Sequence, residues 1–326
     1  MNEQLILKYL HKSGIISDEL FEKINSHLKE KLFSVHYELR MLLYLGVLML
    51  TSGLGILIYK NYEAIGHNVI VAGIGLICFG CLGYCFFKRH PFSNQQVQSQ
   101  GIVYDYIALL GCLTFGIFIG YLQFQYKIFG EYFGLTALVP CLVFFICAYL
   151  FDHKGILSLA IAGLYAYAGI SLAPKDVMNG FDYSTSHYIY AGFVLGILLF
   201  AIAFATRKYD FKKHFEYTYY NFAVHTLFIA SLTGLFNEGW KIIYFLILAL
   251  LVFFVIRNAT KEKSFYFFLM AVIYGYVGTG YLLINAMNAF NFYDSNIYFI
   301  YFILSGTVAI KLINNFRKKI KTDDAI

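Results

Sequence analysis

The stretch from residue 239 to residue 256 reads GWKIIYFLILALLVFFVI, and it decides the class of protein. After Lys241 it holds no charged side chain until Arg257, and its apolar residues cover every face of a helix. A helix that is apolar all round avoids water, and about 20 such residues cross the ~30 Å hydrocarbon layer of a bilayer. Trp240 suits the lipid–water boundary at its start. We therefore predict a membrane span.

The same character extends through the whole chain. Hydrophobic residues make up 60% of the 326 residues and charged residues only 13%, whereas soluble domains carry about 25% charged residues. The length suits about ten helices of ~20 residues with short connections, which leaves no room for a large soluble domain. The sequence therefore predicts an all-α, polytopic transmembrane helical bundle.

Ten apolar runs follow the first forty residues, and each is predicted to span the membrane. The eighth and tenth runs are short and depend on Trp240 and Lys311 as interfacial anchors. The join at residues 152–154 leaves open whether the fourth and fifth runs are separate spans or one re-entrant element. The predicted spans are residues 41–59, 68–87, 103–123, 133–151, 155–172, 188–205, 218–236, 239–256, 265–284 and 297–313.

The positive residues predict the orientation of these spans. With the N-terminus inside, the cytoplasmic segments hold 21 of the 25 Lys and Arg residues. A bias of this kind across short loops predicts that both termini are cytoplasmic and that the number of spans is even. The residues left on the outer side are Lys60, Lys127, Lys175 and Lys241.

Three regions follow from this topology. Residues 1–40 are predicted to form a cytoplasmic helical hairpin with a lead-in helix, in which Gly14 closes the first helix and Ser17 caps the second. Residues 41–313 form the ten-span transmembrane domain, and residues 314–326 form a basic cytoplasmic tail. We expect a multi-pass protein of the cytoplasmic (inner) membrane.

The first 90 residues or so carry a pattern of small residues that resembles a known family. The pattern consists of Gly14-Ile15-Ile16-Ser17, Arg40-Met41-Leu42-Leu43-Tyr44-Leu45-Gly46, Gly53, Gly55 and Asn61. It resembles the DUF2157 family of predicted bacterial membrane proteins, whose members often have Asn-Trp where this chain has Asn61-Tyr62. The resemblance implies a membrane architecture and no particular chemistry.

Glycines in the predicted spans leave notches where another helix can approach closely. Packing within the bundle is one explanation, and homodimerisation through one of these faces is the other. The glycines concerned are Gly46, Gly53 and Gly55 in the first span and two GxxxG pairs, Gly116 with Gly120 and Gly192 with Gly196.

Acidic residues are missing from the middle of every predicted span. Transporters that couple to protons or sodium usually need an ionisable group at membrane depth. Asp105 comes closest, but it lies at the cytoplasmic mouth of the third span, where a hydrated carboxylate costs little. The pattern disfavours a coupled transporter and leaves a channel, a lipid translocator or an uncoupled carrier.

Asn221 and His225 are the first candidates for lining a ligand-binding cavity. They lie one turn apart on the seventh span and share a helical face. A histidine there could form a proton-sensitive or ligand-binding point. The alternative is a hydrogen-bonded histidine that serves packing, because no carboxylate accompanies it.

Tyr274, Tyr281 and Asn285 are the second set of cavity candidates, on one stripe of the ninth span. The Tyr274 hydroxyl, near the middle of that span, needs a partner, and Tyr165 or Tyr167 of the fifth span could supply one. Such an aromatic cavity could hold a lipid or glycolipid. The alternative is composition alone, because the chain contains 29 tyrosines.

Metal and enzyme signatures were sought as well. Cys78, Cys81 and Cys85 share a face of the second span and could bind Cu(I), but no Met or His motif accompanies them, so small apolar packing residues are the alternative. The sequence has no HExxH motif, nucleophile elbow, Walker loop or pair of intramembrane aspartates. We expect no cofactor and no metal, and a membrane enzyme is the least favoured class of function.

Two classes of function remain open from the sequence. The first is a passage or lipid-handling protein, such as a channel, carrier or lipid translocator, with a cavity inside the bundle. The second is a structural or regulatory membrane subunit that docks partners through its N-terminal hairpin. Membrane lipids are the expected partners, together with a second copy or another membrane protein, and nucleic acid is not.

Overall fold

The computed structural model describes residues 11, 13, 16–18 and 20–22, and then 36–172, 185–237, 239–289 and 295–323. The predicted N-terminal hairpin and the end of the basic tail therefore lie largely outside the described residues. Between residues 36 and 323, every regular element in this part of the chain is a helix.

Ten long helices follow one another in the part of the chain that the structure describes, one at each position where the sequence predicts a span. A short 3-10 helix, Lys213–Phe215, precedes the seventh. The helices are α1 His36–Ile65, α2 His67–Lys88, α3 Ile102–Tyr126, α4 Phe133–Phe151, α5 Lys154–Leu172, α6 Thr185–Lys208, α7 Glu216–Asn237, α8 Lys241–Lys261, α9 Phe265–Ala289 and α10 Ser295–Asp323.

Eight of these helices, α2 to α6 and α8 to α10, are long and apolar enough to cross a membrane. In α1 the apolar part among the described residues is Met41–Leu57, which is shorter. Helix α7 falls outside the set of eight, and its first half carries the polar residues Asn221, His225 and Thr226. The predicted polytopic helical membrane bundle is confirmed. The number of ten spans and the cytoplasmic termini stay predictions.

The chain divides into two compact units. One consists of Tyr37–Ala230, and the other combines Met1–His36 with Ser231–Ile326. The core of the first unit is built mainly by α3, α4, α5 and α7, and small side chains recur in it. Its fully buried small residues include Ala108, Cys112, Ala148, Ala160 and Ala223.

Helices α4 and α5 form a closely packed pair. Gly163 of α5 faces Cys141 of α4, and a Cβ added at Gly163 would lie only 3.1 Å from the Cys141 Cβ. The helices are joined by two residues, and the first of them, Asp152, has a left-handed φ of 56°. The backbone N–H of His153 donates to the Ala148 carbonyl at 3.0 Å, which ends α4. The fourth and fifth apolar runs therefore form separate helices, each long and apolar enough to cross a membrane.

The second unit is organised around α8, α9 and α10. The Phe268 ring of α9 stacks on the Phe316 ring of α10 with centroids 3.8 Å apart. Farther along the same two helices, the Tyr276 and Ser305 hydroxyls lie 3.1 Å apart. Leu248 of α8 packs directly against Gly278 of α9, where a side chain would find no room. These contacts tie consecutive helices together.

Candidate functional site

Three connections of the first unit meet at one end of its helices: residues 89–101, residues 152–153 and residues 209–215. The backbone N–H of Lys212 donates to the carbonyl of Asn94 at 2.8 Å, which links the first connection to the third. The count of positive residues predicts that all three connections are cytoplasmic. The structure thus brings together segments that the sequence assigns to the same face.

A buried ion cluster, which consists of Asp152, Lys212 and His214, fastens these connections. Lys212 Nζ lies 2.9 Å and His214 Nε2 lies 2.6 Å from Asp152 Oδ1. The backbone N–H of Val97 donates to Asp152 Oδ2 at 2.6 Å. The side chains of Asp152 and Lys212 are only 5% and 1% exposed. Charges so deeply buried are tolerated only when each is paired and hydrogen-bonded, as these are.

The charge state of His214 depends on this burial. Burial lowers the pKa of His214, and the nearby Asp152 carboxylate opposes this effect without overcoming it. His214 therefore favours its neutral form more than an exposed histidine does. Its Nε2 faces the carboxylate in either form, so that nitrogen carries a proton and donates.

A cleft of about 640 Å³ lies beside the ion cluster. One part of its wall is polar and formed by residues around the chain connections. The other part is apolar and formed by leucines of α1, α3 and α5. The lining residues are Tyr44, Leu48, Gln96, Val97, Gln98, Ser99, Asp105, Leu109, Asp152, His153, Lys154, Gly155 and Leu159.

Hydrogen bonds hold the polar wall in place. His153 Nδ1 accepts the backbone N–H of Ile156 at 3.1 Å, so the neutral ring carries its proton on Nε2, which lies 3.4 Å from the Tyr44 hydroxyl. The Ser99 hydroxyl donates to Asp105 Oδ1 at 2.5 Å. Asp105 lies in the first turn of α3, where its charge complements the helix dipole, and it is 5% exposed.

The glycine at the start of α5 shapes this wall. A Cβ at Gly155 would come within 2.8 Å of Cε1 in the His153 ring. The absence of a side chain therefore lets the ring fold over the first turn of α5, where Nδ1 receives a backbone N–H that would otherwise lack a partner. Lys154, at the same turn, is exposed at the edge of the cleft.

A second, apolar cleft of about 210 Å³ lies farther along α1. Leu48 of the first cleft and Thr51 of the second are three residues apart on α1, roughly 4.5 Å along the helix axis. Both threonines of the second cleft turn their hydroxyls to their own helix, Thr51 to Val47 O and Thr114 to Leu110 O. Its lining residues are Thr51, Leu54, Gly55, Val69, Ile70, Gly73, Ile74, Ile77, Thr114 and Ile117.

We call these two clefts together the α1 furrow. Its polar end lies at the ion cluster, and its apolar end lies between α1, α2 and α3. Along α1 the lining runs from Tyr44 through Leu48 and Thr51 to Gly55, with helical spacings of four, three and four residues. One face of a single helix therefore presents both ends of the furrow.

The cavity residues predicted from the sequence fall in two different units. Asn221 and His225 lie on α7 in the first unit, one turn apart as predicted. The Asn221 Oδ1 atom is buried and has no hydrogen-bond partner among the described residues. The α1 furrow lining among those residues does not include this pair. Their role in ligand binding stays a prediction.

Tyr281 and Asn285 lie in the second unit and surround a lysine. Lys241 Nζ donates to Asn285 Oδ1 at 3.2 Å and lies 5.4 Å from the centre of the Tyr281 ring. The Tyr281 hydroxyl donates to the carbonyl of Phe236 at 3.2 Å. Tyr274 lies on the same helix. As cavity-lining residues, all three stay predictions.

Tyr165, one of the two expected partners of Tyr274, has a hydrogen-bonding neighbour in its own unit. Its hydroxyl lies 2.5 Å from the Thr226 hydroxyl of α7. Tyr149 of α4 makes a similar bond, with its hydroxyl 3.0 Å from that of Tyr219. Tyrosine hydroxyls inside the first unit thus bind the polar residues of α7.

The glycines of the predicted spans differ in how closely other atoms approach them. Gly192 and Gly196 of α6 lie close against Ala230 and Leu227 of α7, so this pair serves packing within the chain. At Gly46, Gly53 and Gly55 of α1, an added Cβ would meet no atom of the described structure within 4 Å.

The cysteines of α2 were the candidate metal ligands. The Cys78 thiol donates to the Gly111 carbonyl at 3.7 Å, and the described residues include no cluster of metal-ligating side chains.

Sequence reasoning missed the ion cluster because its members lie in two connections that are about 60 residues apart in the chain. It placed Asp105 at the start of the third span, as the structure has it, but the expected hydrated carboxylate is instead 5% exposed and accepts a hydrogen bond from Ser99. It also identified residues 152–154 as an unusual join. The signal that could have found the cluster is the presence of Asp152, Lys212 and His214 in loops predicted to share one face.

Family models of known proteins show what the N-terminal half of the chain is similar to. Residues 8–157 match the DUF2157 family, described as a predicted membrane protein. The resemblance predicted from the first 90 residues is therefore confirmed, and it extends to the first turn of α5. The match covers α1 to α4 and the corner between α4 and α5 at Asp152 and His153, but not Lys212 and His214 of the ion cluster. Neither the curated proteins nor the solved structures give a match to this chain.

Proposed function

We propose that this DUF2157-related, multi-pass membrane protein is a lipid-handling protein of the cytoplasmic membrane, and that its α1 furrow binds one phospholipid. The single observation that carries the proposal is the polarity of the furrow. Its polar end lies at chain connections predicted to be cytoplasmic, and its apolar end lies between three helices that are predicted to cross the membrane. A phospholipid has the same division into a polar headgroup and apolar acyl chains.

The length of the furrow supports this occupant. From Tyr44 to Gly55, α1 rises by roughly 16 Å at about 1.5 Å per residue. One leaflet contributes about half of the ~30 Å hydrocarbon layer. A headgroup at Tyr44 would therefore leave its acyl chains beside Thr51 and Gly55, within the leaflet to which the headgroup belongs.

The apolar end favours lipid binding over passage of polar solutes. Leucine, isoleucine, valine and glycine line it, and the hydroxyls of Thr51 and Thr114 are occupied by carbonyls of their own helices. A polar headgroup or an ion that moved into this end would lose its hydration without gaining hydrogen bonds, at a cost of several kcal/mol. The furrow thus suits a lipid that enters sideways and keeps its headgroup at one surface.

Two glycines of α2 that have open space around them allow a direct test of lipid binding in the furrow. Gly73 lines the apolar end of the furrow, whereas Gly80 lies on the same helix and does not belong to the lining. An added Cβ at either position would meet no atom of the described structure within 4 Å. Both Gly73→Leu and Gly80→Leu should therefore fold, but only the leucine at position 73 would occupy space that an acyl chain needs.

We expect native mass spectrometry of the purified full-length chain to detect a tightly retained phospholipid in the wild type and in Gly80→Leu. In Gly73→Leu, the retained fraction should fall about tenfold, as expected when roughly 1.4 kcal/mol of apolar contact is lost. Equal retention by the two variants would overturn the proposal. Thermal unfolding of both variants serves as the control for intact folding.

The alternative function is a membrane subunit that docks partners through its N-terminal hairpin. The exposed glycine face of α1 is the observation that favours it, because Gly46, Gly53 and Gly55 leave room for another helix. The hairpin itself lies largely outside the described residues. Recovery of a stoichiometric membrane-protein partner, lost on deletion of residues 1–33, would support this alternative.

A further inference from the structure

We infer that the polar end of the α1 furrow selects a zwitterionic phospholipid with a primary amine, such as phosphatidylethanolamine. This inference rests on the proposed lipid-binding function and adds the chemistry of the headgroup. The juxtaposition that carries it is a carboxylate, Asp105, and an ammonium group, Lys154, in the wall of one cleft. A zwitterionic headgroup carries the complementary pair of charges.

The negative side of the site is fixed in position. Asp105 is 5% exposed, and the Ser99 hydroxyl, 2.5 Å from its Oδ1, orients the carboxylate. An ammonium group with three N–H donors can bind to such an oxygen by charge-assisted hydrogen bonds. A trimethylated amine has the same charge but no N–H donor, so it can offer only Coulomb attraction.

The positive side of the site suits the phosphate. Lys154 is exposed at the edge of the cleft, in the first turn of α5. The N-terminus of a helix carries partial positive charge from its unpaired N–H groups, and Lys154 adds a full charge there. His153 and Tyr44 border the same wall and are joined by their own 3.4 Å contact, which makes the wall polar between the two charges.

The ion cluster next to the cleft does not alter this balance of charge. The Asp152 carboxylate belongs to the cleft wall, but the buried Lys212 ammonium, 2.9 Å away, neutralises it. The other charged side chains in the cleft wall are the buried Asp105 and the exposed Lys154. A headgroup that is anionic overall, such as phosphatidylglycerol, would match Lys154 and be repelled by Asp105.

The test compares lipids with identical acyl chains and different headgroups. Full-length protein in detergent is titrated with phosphatidylethanolamine, phosphatidylcholine and phosphatidylglycerol, and dissociation constants are read by native mass spectrometry. We expect phosphatidylethanolamine to bind about tenfold more tightly than the other two, which is the scale of one charge-assisted hydrogen bond. In Asp105→Asn, the preference over phosphatidylcholine should disappear.

Two further variants complete the design. Asp210→Asn removes an exposed carboxylate of the same predicted face, one that pairs with Lys213, and should keep the wild-type preference. Lys154→Gln should weaken all three lipids by a similar factor and leave the ratio of phosphatidylethanolamine to phosphatidylcholine unchanged. Because the headgroup series is measured on the wild type, the result does not depend on how well a variant folds.

Each outcome has one meaning. Equal affinity for the three lipids, or a preference for phosphatidylglycerol, overturns the inference about the headgroup. The proposed function survives in that case if Gly73→Leu still reduces lipid retention and Gly80→Leu does not. If those two glycine variants behave alike, the proposed function fails, and the headgroup inference fails with it.

Discussion

Helix α1 and the α4–α5 pair use similar residues in opposite ways. Gly163 of α5 lies against Cys141 of α4, and the neighbouring alanines, Ala148 and Ala160, are fully buried. Gly46 and Gly53 of α1 have open space in the described structure, and leucines such as Leu48 are exposed on the same helix. Of two apolar helices that contain glycines, α5 thus packs tightly against its neighbour, whereas α1 leaves a furrow.

The difference shows that small residues alone do not determine close packing in a membrane. The α4–α5 pair has a second restraint, because its corner at Asp152 is fastened to two other connections by a buried ion cluster. Helix α1 reaches the same region through the contact of Tyr44 with His153. Where the solvent is hydrocarbon, apolar surfaces need not associate, so polar contacts and shape decide which helices meet.

The largest effect should come from removing the restraint at the corner. Asp152→Asn keeps a residue that tolerates the left-handed backbone but leaves the buried Lys212 ammonium without its carboxylate. Breaking a buried pair in this way costs about 3–5 kcal/mol of stability. Thermal unfolding in detergent should show a markedly lower midpoint.

The matched control for this change is Asp210→Asn. Asp210 also has a left-handed φ and also pairs with a lysine, Lys213, but that pair is exposed. Its loss should leave the unfolding midpoint almost unchanged, because surface ion pairs contribute little. A second change, Lys212→Met, in the Asp152→Asn background should recover part of the lost stability, since it removes the unpaired charge. If Asp152→Asn and Asp210→Asn have equal effects, the corner is not the restraint described here.

A smaller loss of stability should distinguish a closely packed glycine from one with open space around it. Gly163→Leu forces a side chain into a contact that already lies at 3.1 Å from Cys141, and such overpacking costs about 1–3 kcal/mol. Gly46→Leu adds the same side chain where the described structure leaves space, and should be neutral. Both changes gain the same helix propensity, so it cancels in the comparison. Equal destabilisation measured by thermal unfolding would show that α1 is packed as closely as α5.

The architecture could be read from the sequence because membrane spans have a simple physical signature. Apolar runs of the right length and a consistent bias of positive residues predicted helices at all ten positions, and the structure has them there. The α1 furrow could not be predicted in this way. Tyr44, Asp105 and Lys154 belong to three different helices, and only the three-dimensional arrangement brings them to one wall. The pair Asn221 and His225 was predicted from their spacing along one helix. Such spacing shows that two residues share a helical face but not which other helix that face contacts.

The smallest expected effect is a dependence of stability on pH, which tests whether His214 titrates within the ion cluster. Burial lowers the pKa of His214 below the value of about 6.5 that it has in the unfolded chain. The folded protein then binds fewer protons than the unfolded one between these two pKa values, so stability rises with pH across that window. The stability is fully present above about pH 6.5 and is lost as pH falls through the lower, folded-state pKa. Unfolding midpoints measured from neutral to mildly acidic pH should therefore decline in the wild type.

His214→Gln should remove this part of the decline, because glutamine can still donate a hydrogen bond to Asp152 but does not titrate. The other charged groups around His214 are Asp152, Lys212 and Lys154, and they remain in the variant. If the unfolding midpoint of the variant declines with the same slope, the pH dependence comes from other groups. His214 would then not be the group that titrates. A slope of opposite sign in the wild type would mean that the attraction of Asp152 outweighs burial. In that case the cluster would hold a charged histidine, and the tight corner would depend on two cations around one carboxylate.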